Sequence, residues 1–210
     1  MKKIFFVFLL LSSVLNAQEL ITVLLPPPQK EIGKPLMQAL TLRQSSRVFD
    51  TKPLPLQELS NLLWAAYGIN RPQSGKRTAP SARNWQEIDV YVALSDGVYL
   101  YEAKEHMLSP IASGDLRPLF GVQDFVKTAP VNLLYVSDYA KIKSNDNDET
   151  KLMWTSAGAG FIAQNVYLYC ASQNLGCVVR GLIDKSKLAD VLKLRGDQKI
   201  ILSQTVGYTK

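Results

Sequence analysis

The chain predicts a domain that mixes helices and strands around a substantial core, and three stretches carry that reading. Residues 153–175 are apolar nearly all round, with Ala157, Phe161, Ile162, Ala163, Val166, Leu168 and Cys170, the composition of a central buried helix. Residues 131–136 are an almost continuous apolar run, as expected for a strand covered on both faces. Residues 87–94 are rich in β-branched and aromatic side chains. The turn signal Asp96-Gly97 then leads into Val98-Tyr99-Leu100-Tyr101, so a hairpin is expected. A length of 210 residues suits one domain, and 47% hydrophobic with 20% charged residues is ordinary globular composition.

Taken in order, the chain opens with Met1-Lys2-Lys3, an apolar run over residues 4–11 and small residues near Ala17. This is the layout of a secretory signal peptide with a cut after Ala17, and the apolar run is short for a bilayer span. Export to the periplasm or beyond is therefore expected, with no stable membrane anchor. Without Lys2 and Lys3 the formal charge falls from +6 to +4. A mild, diffuse basic excess suits an anionic ligand and gives no nucleic-acid footprint. Residues 18–35 read as an N-terminal arm stiffened by Pro26-Pro27-Pro28, and residues 36–210 as the domain proper.

Gly33-Lys34-Pro35 opens a first helix, whose Leu36, Leu40 and Leu42 lie roughly on one side. It runs into Arg43-Gln44-Ser45-Ser46-Arg47, where two guanidiniums flank two hydroxyls. That set suits a phosphate or an anionic ring edge, and it equally suits a solvated helix end. A second helix is expected over 57–67, with Leu59, Leu62, Leu63 and Ala66 as its apolar stripe and Gly68 as its stop. Residues 69–76 read as a polar loop. The loop Pro80-Ser81-Ala82-Arg83-Asn84-Trp85-Gln86 follows, with small residues that leave room for a flat group and amides that pair donor with acceptor. A helix is expected over 116–125, a mobile surface loop or lid over 141–149, a short strand at 177–179, a helix over 184–192 and a last strand over 200–206.

Some chemistry is excluded by count. His106 is the only histidine, so a triad or multi-histidine metal site is ruled out, and His106 itself reads as a packing or surface residue. Cys170 and Cys177 are two buried apolar residues or, after export, a possible pair. Gly158-Ala159-Gly160-Phe161-Ile162-Ala163 matches a dinucleotide fingerprint, yet no buried strand precedes it, so that reading is set aside.

Together, a helix ending in RxSxR, the PSARNWQ loop, the GAGFIAQN helix, LGCVVRG and a final strand ending in VGY resemble the nitroreductase-like flavin oxidoreductases. Residues 62–71 and 98–108 are most similar to the branch that includes the azole-peptide dehydrogenases. The resemblance implies an α+β fold, a three-layer α/β/α sandwich around a mostly antiparallel sheet, and a homodimer with FMN at its interface. It implies that Arg43 and Ser45 meet the phosphate end, and that Arg47 is the cation near the pyrimidine edge. Ser81, Arg83 and Asn84 line the ring, and the backbone N–H groups of Arg180 and Gly181 approach N5 and O4. Only Thr209 and Lys210 follow the VGY strand, so further basic phosphate contacts are not expected there.

The expected activity is ping-pong hydride transfer through the flavin, with no catalytic side chain and no metal. The electron donor could be NAD(P)H. Acceptors would be nitroaromatics or quinones, or a small organic or peptide-derived substrate would be oxidised. The alternative is a flavin-binding partner protein without turnover.

Overall fold

The computed structural model describes residues 19–210, so the expected leader lies outside the described residues. In chain order the elements are β1 (Val23–Leu24), α1 (Leu36–Leu42), α2 (Leu56–Tyr67), β2 (Ile69–Arg71), β3 (Lys76–Arg77), β4 (Ile88–Ala93) and β5 (Gly97–Glu102). They continue with β6 (Met107–Ser113), β7 (Val131–Asp138), α3 (Asp148–Ser172), β8 (Gly176–Arg180), α4 (Lys185–Val191) and β9 (Gln198–Gly207). Seven strands form one sheet in the order β1-β6-β5-β4-β7-β9-β8, and every neighbouring pair is antiparallel. The α+β sandwich expected from the sequence is the fold observed.

Strand alternation builds the two cores. Val90, Val92, Leu133 and Tyr135 face α2 and α3, where Leu62, Leu63, Ala66, Ile162 and Val166 cover them. Tyr91, Ala93, Leu134 and Val136 face the other way, onto Phe120, Val126, Leu188 and Leu192. Both faces of β4 and β7 are thus buried, which is why residues 131–136 lack a polar side. Truncating a fully buried side chain there, Leu133→Ala for example, costs about 2–5 kcal/mol.

Several boundaries differ from the sequence reading. The helix expected over 116–125 is instead two 3-10 turns, Arg117–Leu119 and Asp124–Lys127, broken around Gly121. Helix α3 begins at Asp148, five residues before residue 153, because Asn147 Oδ1 accepts from the Thr150 N–H at 2.8 Å. Asp148 and Glu149 then occupy its first turn, where the helix dipole favours them. Within the expected loop 141–149, Lys141 pairs with Asp89, Arg83 meets Ser144 Oγ at 3.0 Å and Asp146 at 3.3 Å, and Asp148 and Glu149 belong to α3. Residues 69–77 form the β2–β3 hairpin rather than a plain loop. Strand β6 was hidden by Pro110, which sits beside a register shift in β5.

The arm is fastened at His106. Ser60 Oγ donates to the Pro26 carbonyl at 2.5 Å and lies 2.7 Å from His106 Nε2, while Tyr101 OH lies 2.9 Å from Nδ1. Since the Ser60 proton goes to Pro26, the imidazole carries its hydrogen on Nε2. Burial lowers its pKa from the ordinary 6.5. His106 is a packing residue, as expected.

Candidate functional site

The segment after α1 is anchored by its backbone and leaves its cations free. Ser46 N–H donates to the Cys177 carbonyl at 2.9 Å, which lays the segment along β8. Ser45 Oγ lies 2.9 Å from Tyr167 OH, and that same hydroxyl accepts from the Val179 N–H at 2.9 Å. Tyr167 of α3 therefore welds the segment to β8. Gly176 permits the contact, because a Cβ there would stand 3.0 Å from Ser46 Cβ and 2.6 Å from Thr209 Cγ2. Arg43 is half-buried with its guanidinium 5.5 Å from the Tyr167 ring centroid, and Arg47 is exposed. Neither guanidinium has a hydrogen bond or an ion pair among the described residues.

The loop before β4 is built the other way, with side chains locked to one another. Arg83, Asn84 and Gln86 have φ of 48°, 57° and 52°, a region that non-glycine residues rarely adopt. Ser81 Oγ accepts from the Gln86 N–H at 3.0 Å and closes the 3-10 turn Ala82–Asn84. Gln86 is the hub: its Oε1 accepts from Arg77 Nε at 2.8 Å, and its Nε2 donates to the Gly75 carbonyl at 3.1 Å and to Asn84 Oδ1 at 3.2 Å. Its amide is therefore occupied, while the Asn84 amide N–H groups remain free to meet a ligand among the described residues. Arg83 is held against Ser144, Asp146 and the Trp85 ring.

Beneath this loop lies a buried carboxyl. Glu87 is fully buried, and neither oxygen has a hydrogen-bond partner. A Cβ on Gly158 would stand 3.4 Å from its Oε1, an ordinary contact, so α3 passes directly over the carboxyl. Burial raises the Glu87 pKa from its ordinary 4.5, with Lys141 opposing that shift in part. Nothing in the one-letter pattern marks Glu87 as buried, and the sequence reading missed it.

Arg180 ends β8 with its side chain on the sheet face away from α3. Its Nη1 donates to the Phe120 carbonyl at 2.7 Å. Its Nη2 donates to Asn132 Oδ1 at 3.1 Å, Ser203 Oγ at 3.0 Å and Thr205 Oγ1 at 2.7 Å. Gly121 makes room for it, since a Cβ there would fall 1.9 Å from Nη1. Gly181, the next residue, is exposed, and nothing lies within 4 Å of its Cβ direction. A flat group can approach that backbone.

The residues singled out by sequence fall into two groups. Arg43, Ser45 and Arg47 lie on the segment that meets β8 at Cys177 and, through Tyr167, at Val179, and Arg180 and Gly181 follow at the end of that strand. Ser81, Arg83 and Asn84 lie with Gly158 and the segment before α3. Tyr167 and Gly158 are nine residues apart on α3, about 13 Å along its axis. One chain does not bring the two groups together. Tyr167, which ties the first group, carried no sequence signal beyond a place in an apolar helix.

No cluster of metal-ligating side chains occurs among the described residues. Cys170 and Cys177 are buried free thiols. No helix among the described residues is long and apolar enough to cross a membrane.

A family model described as the nitroreductase family matches residues 40–208. A protein of Methanocaldococcus jannaschii, provisionally named a nitroreductase, is 30% identical over 170 residues, covering 76% of this chain and 85% of that one. A crystal structure from Ralstonia eutropha, also provisionally named a nitroreductase, is similar with a TM-score of 0.85 at 45% identity, covering 90% of each chain. A Desulfovibrio desulfuricans structure of the same provisional name, in complex with FMN, has a TM-score of 0.61 at 20% identity over 84% of this chain and 87% of that one. At that identity the last similarity speaks to the fold alone.

Proposed function

The chain belongs to the nitroreductase family of oxidoreductases, and from that premise we propose that it is an exported, FMN-dependent enzyme acting as a homodimer. One observation carries the cofactor reading. Two guanidiniums without partners among the described residues, and a serine hydroxyl, lie on a segment bonded to β8, the strand that leads into the open backbone of Gly181. A phosphate on Arg43, Ser45 and Arg47 and a flat ring across Gly181 fit that donor set. The Desulfovibrio desulfuricans protein, which shares the fold, is in complex with FMN.

The dimer reading rests on the separation of the two groups and on exposed apolar side chains. Leu36, Met37, Leu40 and Leu42 of α1 are exposed, as are Leu152, Met153, Trp154 and Phe161 of α3. Only Ala39 of α1 is buried. Such surface is characteristic of a face that another protein covers. A second copy would bring its Ser81, Arg83 and Asn84 to the first copy's Arg43, Ser45 and Arg47.

When bound, FMN supplies the hydride chemistry, taking two electrons and a proton from a donor and passing them to an acceptor. The chain's residues bind and orient. Arg43 and Arg47 hold the phosphate end, Asn84 reads the polar ring edge, and Gly181 leaves the ring face open. The substrates of this reading are a nicotinamide-type donor and a nitroaromatic or quinone acceptor, or a small organic or peptide-derived molecule to be oxidised.

The mature protein, purified and scanned by absorbance, should show a flavin spectrum, and denaturation should release FMN. A colourless protein that also fails to quench the fluorescence of added FMN would overturn the reading.

A further inference from the structure

Arg180 is a buried cation without a counter-ion. It is 6% exposed, and all four of its acceptors are neutral. No carboxylate lies within ion-pair distance of it among the described residues. The protons of the network run outward. Ser203 Oγ donates to the Leu133 carbonyl at 2.9 Å, Thr205 Oγ1 to Asn132 Oδ1 at 2.5 Å, and Asn132 Nδ2 to the Val126 carbonyl at 2.9 Å. Each of the three side chains therefore turns only oxygen lone pairs toward the guanidinium. Burial pushes its pKa down to about 10, still far above neutrality, so the charge persists. Nε is buried and has no partner, nor does Gln123 Oε1, which lies across Gly121 from the guanidinium.

Burying a lone charge is costly, and replacing such a site by apolar packing is often neutral or better. A purely structural role leaves the missing counter-charge unexplained. The guanidinium belongs to the residue directly before Gly181, over which the backbone is open. Arg47, the cation the sequence favoured for this task, faces solvent, where salt and water screen it. A charge beneath the surface is screened much less.

Resting on the FMN reading above, we infer that Arg180 is a positioning residue whose counter-charge is the negative charge the ring acquires on reduction. A bound flavin ring that took up a hydride, two electrons and one proton, would carry a net negative charge. The buried guanidinium favours that form over the neutral oxidised ring and raises the reduction potential of the bound cofactor.

The test is the midpoint potential of protein-bound FMN, read against a reference dye during stepwise reduction with dithionite. Wild type is compared with R180Q, R180K and N132D, the last placing a carboxylate where Asn132 Oδ1 meets Nη2 without removing the arginine. R180Q and N132D should each lose about tenfold in preference for reduced over oxidised FMN, a drop of about 30 mV for a two-electron couple. R180K should hold its potential near wild type while melting earlier. If R180Q does not fold, N132D decides alone, with circular dichroism confirming its fold. A folded N132D with wild-type potential would overturn the role of Arg180 while leaving FMN binding intact. Failure of the wild-type protein to take up FMN would overturn the cofactor reading and this role with it.

Discussion

The two polar groups that flank α3 are prepared for a ligand in opposite ways. Around Arg43, Ser45 and Arg47 the backbone is fixed by the Ser46–Cys177 bond and the Tyr167 bridge, while the guanidiniums stay free. Around Ser81, Arg83 and Asn84 the side chains are bonded within the protein, Ser81 and Asn84 to Gln86 and Arg83 to Ser144, and three residues of the loop hold positive φ. The first group keeps its charge available and its shape adaptable. The second spends stability to keep one shape in advance. Removing the free guanidiniums of the first should change binding without changing stability, and substitutions in the second should change both.

The sharpest test of that contrast is R43A combined with R47A. Each removes a charge-assisted contact of about 1.5–3 kcal/mol to the phosphate. The pair should weaken FMN binding by about a hundredfold or more in a fluorescence titration, with an unchanged melting temperature. Gln86→Leu comes next and should act through the fold. It breaks three bonds of the hub, so about 2–3 kcal/mol of stability should be lost in urea unfolding, with FMN affinity falling alongside.

Protonation separates the groups further. Burial lifts the Glu87 carboxyl above its ordinary 4.5. Its contribution is therefore whole below the unfolded value and is lost as pH rises through the lifted one. Glu87→Gln should melt later than wild type at pH 8 and equally at pH 4. Equal melting at both would show that Glu87 is relieved by a partner. Asn84 tests backbone against amide. Asn84→Ala and Asn84→Gly both lose the bond to Gln86 Nε2 and should both lose FMN affinity, but Asn84→Ala should be less stable than Asn84→Gly by about 1 kcal/mol because alanine resists φ 57°. The smallest effect belongs to Arg83→Ala, whose exposed pair with Asp146 is worth about 0.5 kcal/mol or less in thermal melts.

Much of the sandwich was legible because burial on two faces leaves a continuous apolar run, as at residues 131–136. Helix α3 read as buried all round, yet Leu152, Met153, Trp154 and Phe161 are exposed, so part of its apolar surface faces away from the sheet. The failures have local causes. Gly121 lies inside a helical pattern, yet the Arg180 guanidinium occupies the space beside it and the chain breaks into two turns. Pro110 disguised β6. The acidic and asparagine-rich residues before 150 looked like a loop but cap a helix. Motif order singled out Arg43, Ser45 and Asn84. It could not show that Gln86 is occupied, that Tyr167 bridges two elements, or that Glu87 and Arg180 are buried without opposite charges, since these depend on contacts far apart in the chain.

The distance between the two groups along α3 has a genetic consequence. In the proposed dimer each chain donates half of two sites, so a chain lacking its arginines and a chain with a broken loop are defective in different halves. Co-expressed, the two would regenerate one sound cleft per mixed pair, and activity absent from either parent would return by complementation.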